Sequence, residues 1–452
     1  MPNALWLDNL EVISMTTKGD TKTVKAAIRC VADACPSCGV VGKLYRHGMK
    51  RRDFVDIPAY GHKVVIETEV QRFRCRDCRA TFNQPMPELC DYRHMTTRCI
   101  DYIVEQSIPR TFSEVAREVG VNEKTVRNIC AERFPARLEA RSMPPYLAIL
   151  GIDELMLDGQ MRAIFMDVGR RQVLDVIDGH AKWQVARWIS SMTEVQRHFV
   201  QIVTIDMATS YRDVARALLP NAAIVIDKFH VQRCANQALD AVRNRARRTA
   251  TGGKRREAWR GQRLLRKRAH NLSPAQGMEV DGILANNPLV QAAYATKESF
   301  FAIWTARNRA DAERAFDDWR AAIPEAVPEF DKVAKMVQRW RAEVFAYFDY
   351  AATNAITENR NGLIKILNRA GRGYDFATIR AKALLTATTK PVACPICKLE
   401  VPAASMREAG RYVREIEDVL SANVCGSCHY IFNKMYVPFA EACEGPDERH
   451  LH

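Results

Sequence analysis

Two aspartates, Asp206 and Asp227, each close a short apolar run, and His230 follows the second by three residues. One carboxylate at a strand end commonly caps the next helix. Two in tandem in a basic chain point instead to a divalent-metal site, because hard cations take oxygen ligands. A further acidic pair, Asp153-Glu154, ends the apolar run YLAILGI. Eight of the 14 cysteines form four Cys-x-x-Cys pairs, Cys35/Cys38, Cys75/Cys78, Cys394/Cys397 and Cys425/Cys428. Each pair sets two thiolates on a tight knuckle, and two knuckles complete the tetrahedral shell of zinc. A redox dithiol would be a single pair in a thioredoxin-like setting. The spacing therefore predicts two structural zinc ions, one near each end of the chain.

The carboxylates need a sheet to hold them. Ile202–Ile205 and Ala222–Ile226 read as buried strands, with a helix carrying Val214, Leu218 and Leu219 between them. Upstream, residues 146–154, Met161–Val168 and Gln172–Ile177 predict an antiparallel meander. Lys182–Val200 predicts one long amphipathic helix with Trp183 and Trp188 in the core. Three strands, helix, strand, helix, strand is a ribonuclease H-like α/β order. In it the first and fourth strands lie side by side, so Asp153 and Asp206 meet at one edge.

Other segments surround this sheet. Residues 1–90 predict a zinc ribbon. Residues 91–145 predict a helix-turn-helix: Thr111-Phe-Ser-Glu114 is a capping box, Gly120 makes the turn, and Glu123–Phe134 turns Lys124, Arg127 and Asn128 outward. The catalytic domain would occupy 146–230 and resume at 346–390, interrupted by a helical insertion at 231–345. After the interruption Glu358 falls in the first turns of an amphipathic helix, on one face with Asn361 and Lys365. A glutamate there is ordinarily a dipole partner. Residues 391–452 form a second zinc-binding segment, with a helix expected over Ser405–Leu420. The net charge is +14, and +10 of it lies between Asp240 and Arg268. An arginine block of that density suits phosphate, with Arg243, Arg247, Arg255 and Arg256 as candidate contacts. No apolar run is long enough to span a bilayer and the N-terminus has no signal pattern, which predicts an intracellular protein.

These residues resemble the ISL-three family of bacterial insertion-sequence transposases. The resemblance rests on Gly151-Ile-Asp153-Glu154, Ile205-Asp206-Met207 with Tyr211, Asp227-Lys-Phe-His230, Thr357-Glu358-Asn359-Arg360-Asn361 and the turn RAGRGYDF. It implies a DDE triad of Asp153, Asp206 and Glu358 holding two magnesium ions, with a helical insertion between the second Asp and the Glu. It also implies a supporting role for Asp227 and His230. The implied partners are double-stranded DNA, both terminal inverted repeats and target, bound by a homodimer or larger assembly in the bacterial cytoplasm at the nucleoid. Related transposases stack an insertion-domain tryptophan on a flipped base; Trp259, Trp304, Trp319 and Trp340 are available here, with core the expected role for most. The C-terminal cysteine pairs are not part of the family pattern. Two other readings remain open at this level: a zinc-dependent DNA-binding regulator with an inactive ribonuclease H-like domain, and a structure-specific nuclease.

Overall fold

The structure, a computed structural model, describes residues 7–144, 146–249, 261–350 and 355–386, and four short strands beyond them. The chain divides into two units: Met1–Ser142 with Ile366–Thr386, and Met143–Lys365 with the described strands of the tail.

The first unit opens with β1 (Leu10–Lys18), β2 (Thr21–Ile28), β3 (Leu44–Ala59), β4 (His62–Cys75), β5 (Thr81–Asn83), β6 (Leu89–Cys90) and β7 (Met95–Thr96). In β4, Val64, Ile66, Thr68 and Val70 alternate inward with period two. The sheet order is β1-β2-β4-β3-β7-β6, with β5 on β4. The ribbon is thus part of a larger sheet than expected, whose core gathers Leu10, Val24, Phe54, Val64, Ile66 and Val70.

Three helices follow, α1 (Thr97–Ser107), α2 (Phe112–Val119) and α3 (Glu123–Glu139). Thr111 and Glu114 form the expected capping box, and Gly120 ends α2 with a left-handed φ of 83°. Asn122 caps α3, which runs through Pro135 rather than stopping at Phe134, at the cost of one backbone hydrogen bond.

Residues 366–386 depart from the expected division. They group with this first unit rather than with the rest of the catalytic segment. The Phe112 backbone N–H donates to the Tyr374 hydroxyl at 2.9 Å. Lys382, on the helix Phe376–Leu385, is 1% exposed and donates to the carbonyls of Ser107 and Arg110. Burial pulls its ammonium down to about 8. Two orphan carbonyls at and just after the end of α1 are satisfied in this way.

The second unit contains β8 (Ile149–Leu157), β9 (Gln160–Asp167), β10 (Gln172–Val176), α4 (Lys182–Ser190), α5 (Glu194–Phe199), β11 (Ile202–Ile205), α6 (Thr209–Leu218), β12 (Ala223–Ile226) and α7 (Lys228–Thr249). The sheet order is β10-β9-β8-β11-β12. β9 is antiparallel to its neighbours, and β11 is parallel to both β8 and β12. This is the ribonuclease H-like arrangement read from the sequence, with strands one and four adjacent. Two details differ. The long helix breaks at Ser191–Thr193 because Thr193 and Gln196 form a new capping box. Trp188 is buried against Phe165, its ring centroid 3.7 Å away, whereas Trp183 is 65% exposed.

From α7 to Tyr350 every regular element described is helical. This insertion shares one apolar core with the sheet, from Leu147 and Val203 to Phe316 and Phe345. Of the tail, Pro391–Ala393 pairs with Glu400–Pro402 and Met406–Glu408 with Asn423–Cys425. Met406–Glu408 is therefore strand where a helix was expected; residues 409–420 lie outside the described residues. Among the described residues no helix is long and apolar enough to cross a membrane.

Candidate active site and nucleic-acid interface

The parallel ladder sets the aspartates. Gly151 pairs with Thr204, and Thr204 with Val225. Two residues further along each strand the chain reaches Asp153, Asp206 and Asp227. Equal offsets keep them on one face and one level, with neighbouring strands roughly 4.8 Å apart. The Asp227 N–H donates to the Ile205 carbonyl at 3.3 Å, carrying the ladder to that level. β8 does not end at the acidic pair, as the sequence suggested. It continues to Leu157 because β9 pairs along its other edge.

Glu358 arrives from the helix Ala355–Gly371, in its first turn. Its Oε1 lies 3.1 Å from His230 Nε2. One turn on, Asn361 Nδ2 donates to Asp153 Oδ2 at 2.8 Å, while the Glu154 backbone N–H donates to Asp153 Oδ1 at 2.8 Å. Asp206 Oδ1 accepts from the Ala208 N–H at 3.1 Å. Asp227, His230 and Glu358 bring ligand atoms within 4.8 Å of one another. Asp153, Asp206 and Glu358 do not close that tightly, because the Glu358 carboxylate faces the imidazole. Asp153 still feels the charges of the other two. Burial pushes the Asp153 carboxyl up to about 6; the Glu154 N–H and His230 oppose this, and the charges of Asp206 and Glu358 add to it. Behind the strand the Tyr211 hydroxyl donates to Glu154 Oε1 at 3.2 Å, and burial raises its phenol.

The donor set fits magnesium. Its strand members, Asp153 and Asp206, offer carboxylate oxygens at one level, and Asp153 is held above its ordinary range by burial and like charge. Such a group is relieved by a hard dication. Sequence reasoning put Asn361 on the Glu358 face but missed its bond to Asp153, which joins positions 208 residues apart.

The ribbon holds its cysteines as a zinc site does. Cys35 Sγ lies 3.6 Å from Cys78 Sγ, and Cys38 Sγ lies 3.8 Å from Cys75 Sγ. All four sulfurs fall within 4.8 Å of one another. A tetrahedron with Zn–S bonds of ~2.3 Å has S–S edges of about 3.8 Å. The knuckles close through Gly39 N–H to Cys35 O at 2.8 Å and Cys75 N–H to Ala80 O at 3.0 Å.

Comparison with known proteins agrees with these observations. The ISL3 DDE family model, described as transposase, matches residues 150–383. A zinc-finger model of transposases IS204/IS1001/IS1096/IS1165 matches 32–78, and the helix-turn-helix model of transposase family ISL3 matches 86–133. The chain belongs to the ISL3 transposase family. The transposase for insertion sequence element IS1001 of Bordetella parapertussis is 24% identical over 347 residues, 75% of this chain and 85% of that protein. The transposase for element IS1557 of Mycobacterium tuberculosis is 23% identical over 385 residues, 79% of this chain and 86% of its own.

In this transposase the remaining candidate residues separate into exposed and engaged. On α3, Lys124 and Asn128 are exposed on one face. Arg127 is half-buried: it bonds Glu123 at 3.0 Å and the Gly373 carbonyl at 3.4 Å, and lies over the rings of Phe112 and Tyr374. It ties α3 to the turn before the helix Phe376–Leu385, a packing role the helix pattern did not reveal. Arg243 needs a similar correction. It is 3% exposed and paired with Asp240 at 3.3 Å, so its guanidinium is turned into the helix packing and away from any phosphate. Arg247 is half-exposed and Arg248 exposed. Arg255, Arg256 and Trp259 lie outside the described residues. Trp319 and Trp340 are buried, and Trp304 stacks on Phe348 with ring centroids 5.8 Å apart, so all three are packing residues. Cys394, Cys397 and Cys428 also lie outside the described residues, as does the side chain of Cys425.

Proposed function

We propose that this transposase binds the terminal inverted repeats of its own element, cuts the DNA there and joins the ends to target DNA, using magnesium held by Asp153, Asp206 and Glu358. The observation that carries this reading is the alignment of Asp153 with Asp206 across parallel strands, with the Glu358 helix hydrogen-bonded to Asp153 through Asn361. Two magnesium ions held by Asp153, Asp206 and Glu358 would activate a water or the DNA 3′-hydroxyl as nucleophile and offset charge on the leaving oxygen. The chain's own groups do the rest. Asp153 and Asp206 present oxygens at one level of a rigid sheet. Glu358, partly exposed and resting on His230, would turn toward them to complete the set. Asp227 accepts the Phe229 N–H at 3.3 Å and thereby fixes the start of α7, which carries His230.

Recognition falls to the first unit. Lys124 and Asn128 would read base edges from α3, and the zinc-held ribbon would add backbone contacts. Arg247 and Arg248, with Arg255 and Arg256, would neutralise phosphates without regard to sequence. An element has two ends, so a dimer or larger assembly on DNA would hold both. The Cys394/Cys397/Cys425/Cys428 set would bind a second zinc. The test is cleavage of duplexes carrying the element's ends. Asp153→Ala, Asp206→Ala and Glu358→Ala should each lose magnesium-dependent cutting and retain binding. Undiminished cutting by any one of them removes that residue from the triad.

A further inference from the structure

We propose that Asn361 is a positioning residue of the divalent-metal site: it holds the Asp153 carboxylate in its ligand orientation and fixes the Glu358 helix to β8. This rests on the magnesium reading above.

Asn361 is 6% exposed and lies three residues after Glu358, so the two share a helix face. An ionised carboxylate only accepts hydrogen bonds, so the amide nitrogen must face Asp153. Asp153 is then gripped at both oxygens, Oδ1 by the Glu154 N–H and Oδ2 by Asn361 Nδ2, each at 2.8 Å. Each oxygen keeps a lone pair for a cation. With both ends held, the carboxylate cannot rotate when an ion arrives. The same bond sets how far the Glu358 helix stands from β8, and therefore where Glu358 can reach.

The other end of the amide separates this role from ordinary packing. Asn361 Oδ1 is buried and has no hydrogen-bond partner in the protein. A buried acceptor left unsatisfied is costly, and asparagines that serve only to dock a helix are normally satisfied at both ends. Here a hard carbonyl oxygen sits beside Asp153, where a cation or its bound water would satisfy it. Asn361 thus joins the two halves of a site separated by the whole insertion.

The experiment uses the full chain with Mn2+ as probe, followed by titration calorimetry. Asp153→Ala identifies which binding event belongs to this site and which to the cysteines. Asn361→Ala should weaken that event about 10- to 100-fold, the usual effect of losing a partner behind a metal ligand. End-DNA binding and zinc content should not change. Asn361→Leu, of similar volume and without polar atoms, should show the same loss and guards against a cavity effect. Wild-type Mn2+ affinity in both variants, even with lowered stability, would overturn the proposal and leave the magnesium reading intact. No Mn2+ event in the wild type that Asp153→Ala abolishes would overturn both.

Discussion

Asp153→Asn should make the metal-free protein more stable while removing its activity. Asp153 is 6% exposed, and burial with its acidic neighbours raises its carboxyl from an ordinary 3.8 to about 6. Keeping it charged in the folded state therefore costs roughly 3 kcal/mol at neutral pH. A carboxyl raised in the folded state favours folding below its unfolded value, and that contribution is lost as pH rises through about 6. Wild type and variant should match near pH 4, part progressively between pH 4 and 6, and stay apart by a constant margin above pH 6. An amide at 153 loses one of the two accepted hydrogen bonds, costing about 1 kcal/mol. The net gain is then about 2 kcal/mol, or roughly 4–8 °C in the melting of a unit this size. Thermal melts in chelator at pH 5 to 8 measure it directly. Added Mg2+ should raise the wild-type melting temperature and leave the variant unchanged. A variant that melts at or below wild type at pH 8 in chelator would refute the buried, charge-crowded site.

Other consequences can be measured separately. Cys75→Ser should release the ribbon zinc and abolish end binding, and metal analysis of the wild type should give about two zinc per chain by the four-ligand rule; one zinc would remove the C-terminal site. Lys382 is held down to about 8 by burial, so in the wild type its contribution to stability should rise with pH from 8 toward 10.5, where the folded state has lost a proton the unfolded chain keeps. Lys382→Met should therefore be clearly destabilised at pH 10 and little changed at pH 7, with the Ser107 and Arg110 carbonyls unpaired; equal destabilisation at both would show that desolvation is not at issue. Replacing Arg247 and Arg248 by Ala should reduce the salt slope of binding by about 0.9 per lost contact for any duplex. Lys124→Ala and Asn128→Ala should instead erode preference for end sequence, and an unchanged preference would move recognition away from α3.

Much of the fold was legible because its signals are local. Period-two and apolar runs gave the strands of the catalytic sheet, Thr111 and Gly120 gave the helix-turn-helix, and Cys-x-x-Cys spacing gave the ribbon. The row of aspartates was half visible: each strand-end carboxylate could be seen, but only the Gly151–Thr204–Val225 register puts three of them at one level. What the sequence hid was long-range. Nothing local marks Tyr374 and Lys382 as partners of Phe112 and the end of α1, because those contacts join positions more than 260 residues apart. Arg127 and Arg243 looked like free cations because an amphipathic pattern shows a face and not the neighbour covering it. The break at Thr193 was readable in principle, since Thr193 and Gln196 are a capping-box pair, but the continuous apolar spacing of 182–200 outweighed it.

The most direct test of the central claim is an anomalous-scattering map from crystals grown with Mn2+. Density is expected between Asp153 and Asp206, with Glu358 rotated off His230 to reach it. Density held by Asp227, His230 and Glu358, with Asp153 still bonded to Asn361 and no ion at its other lone pairs, would contradict the assignment of the triad.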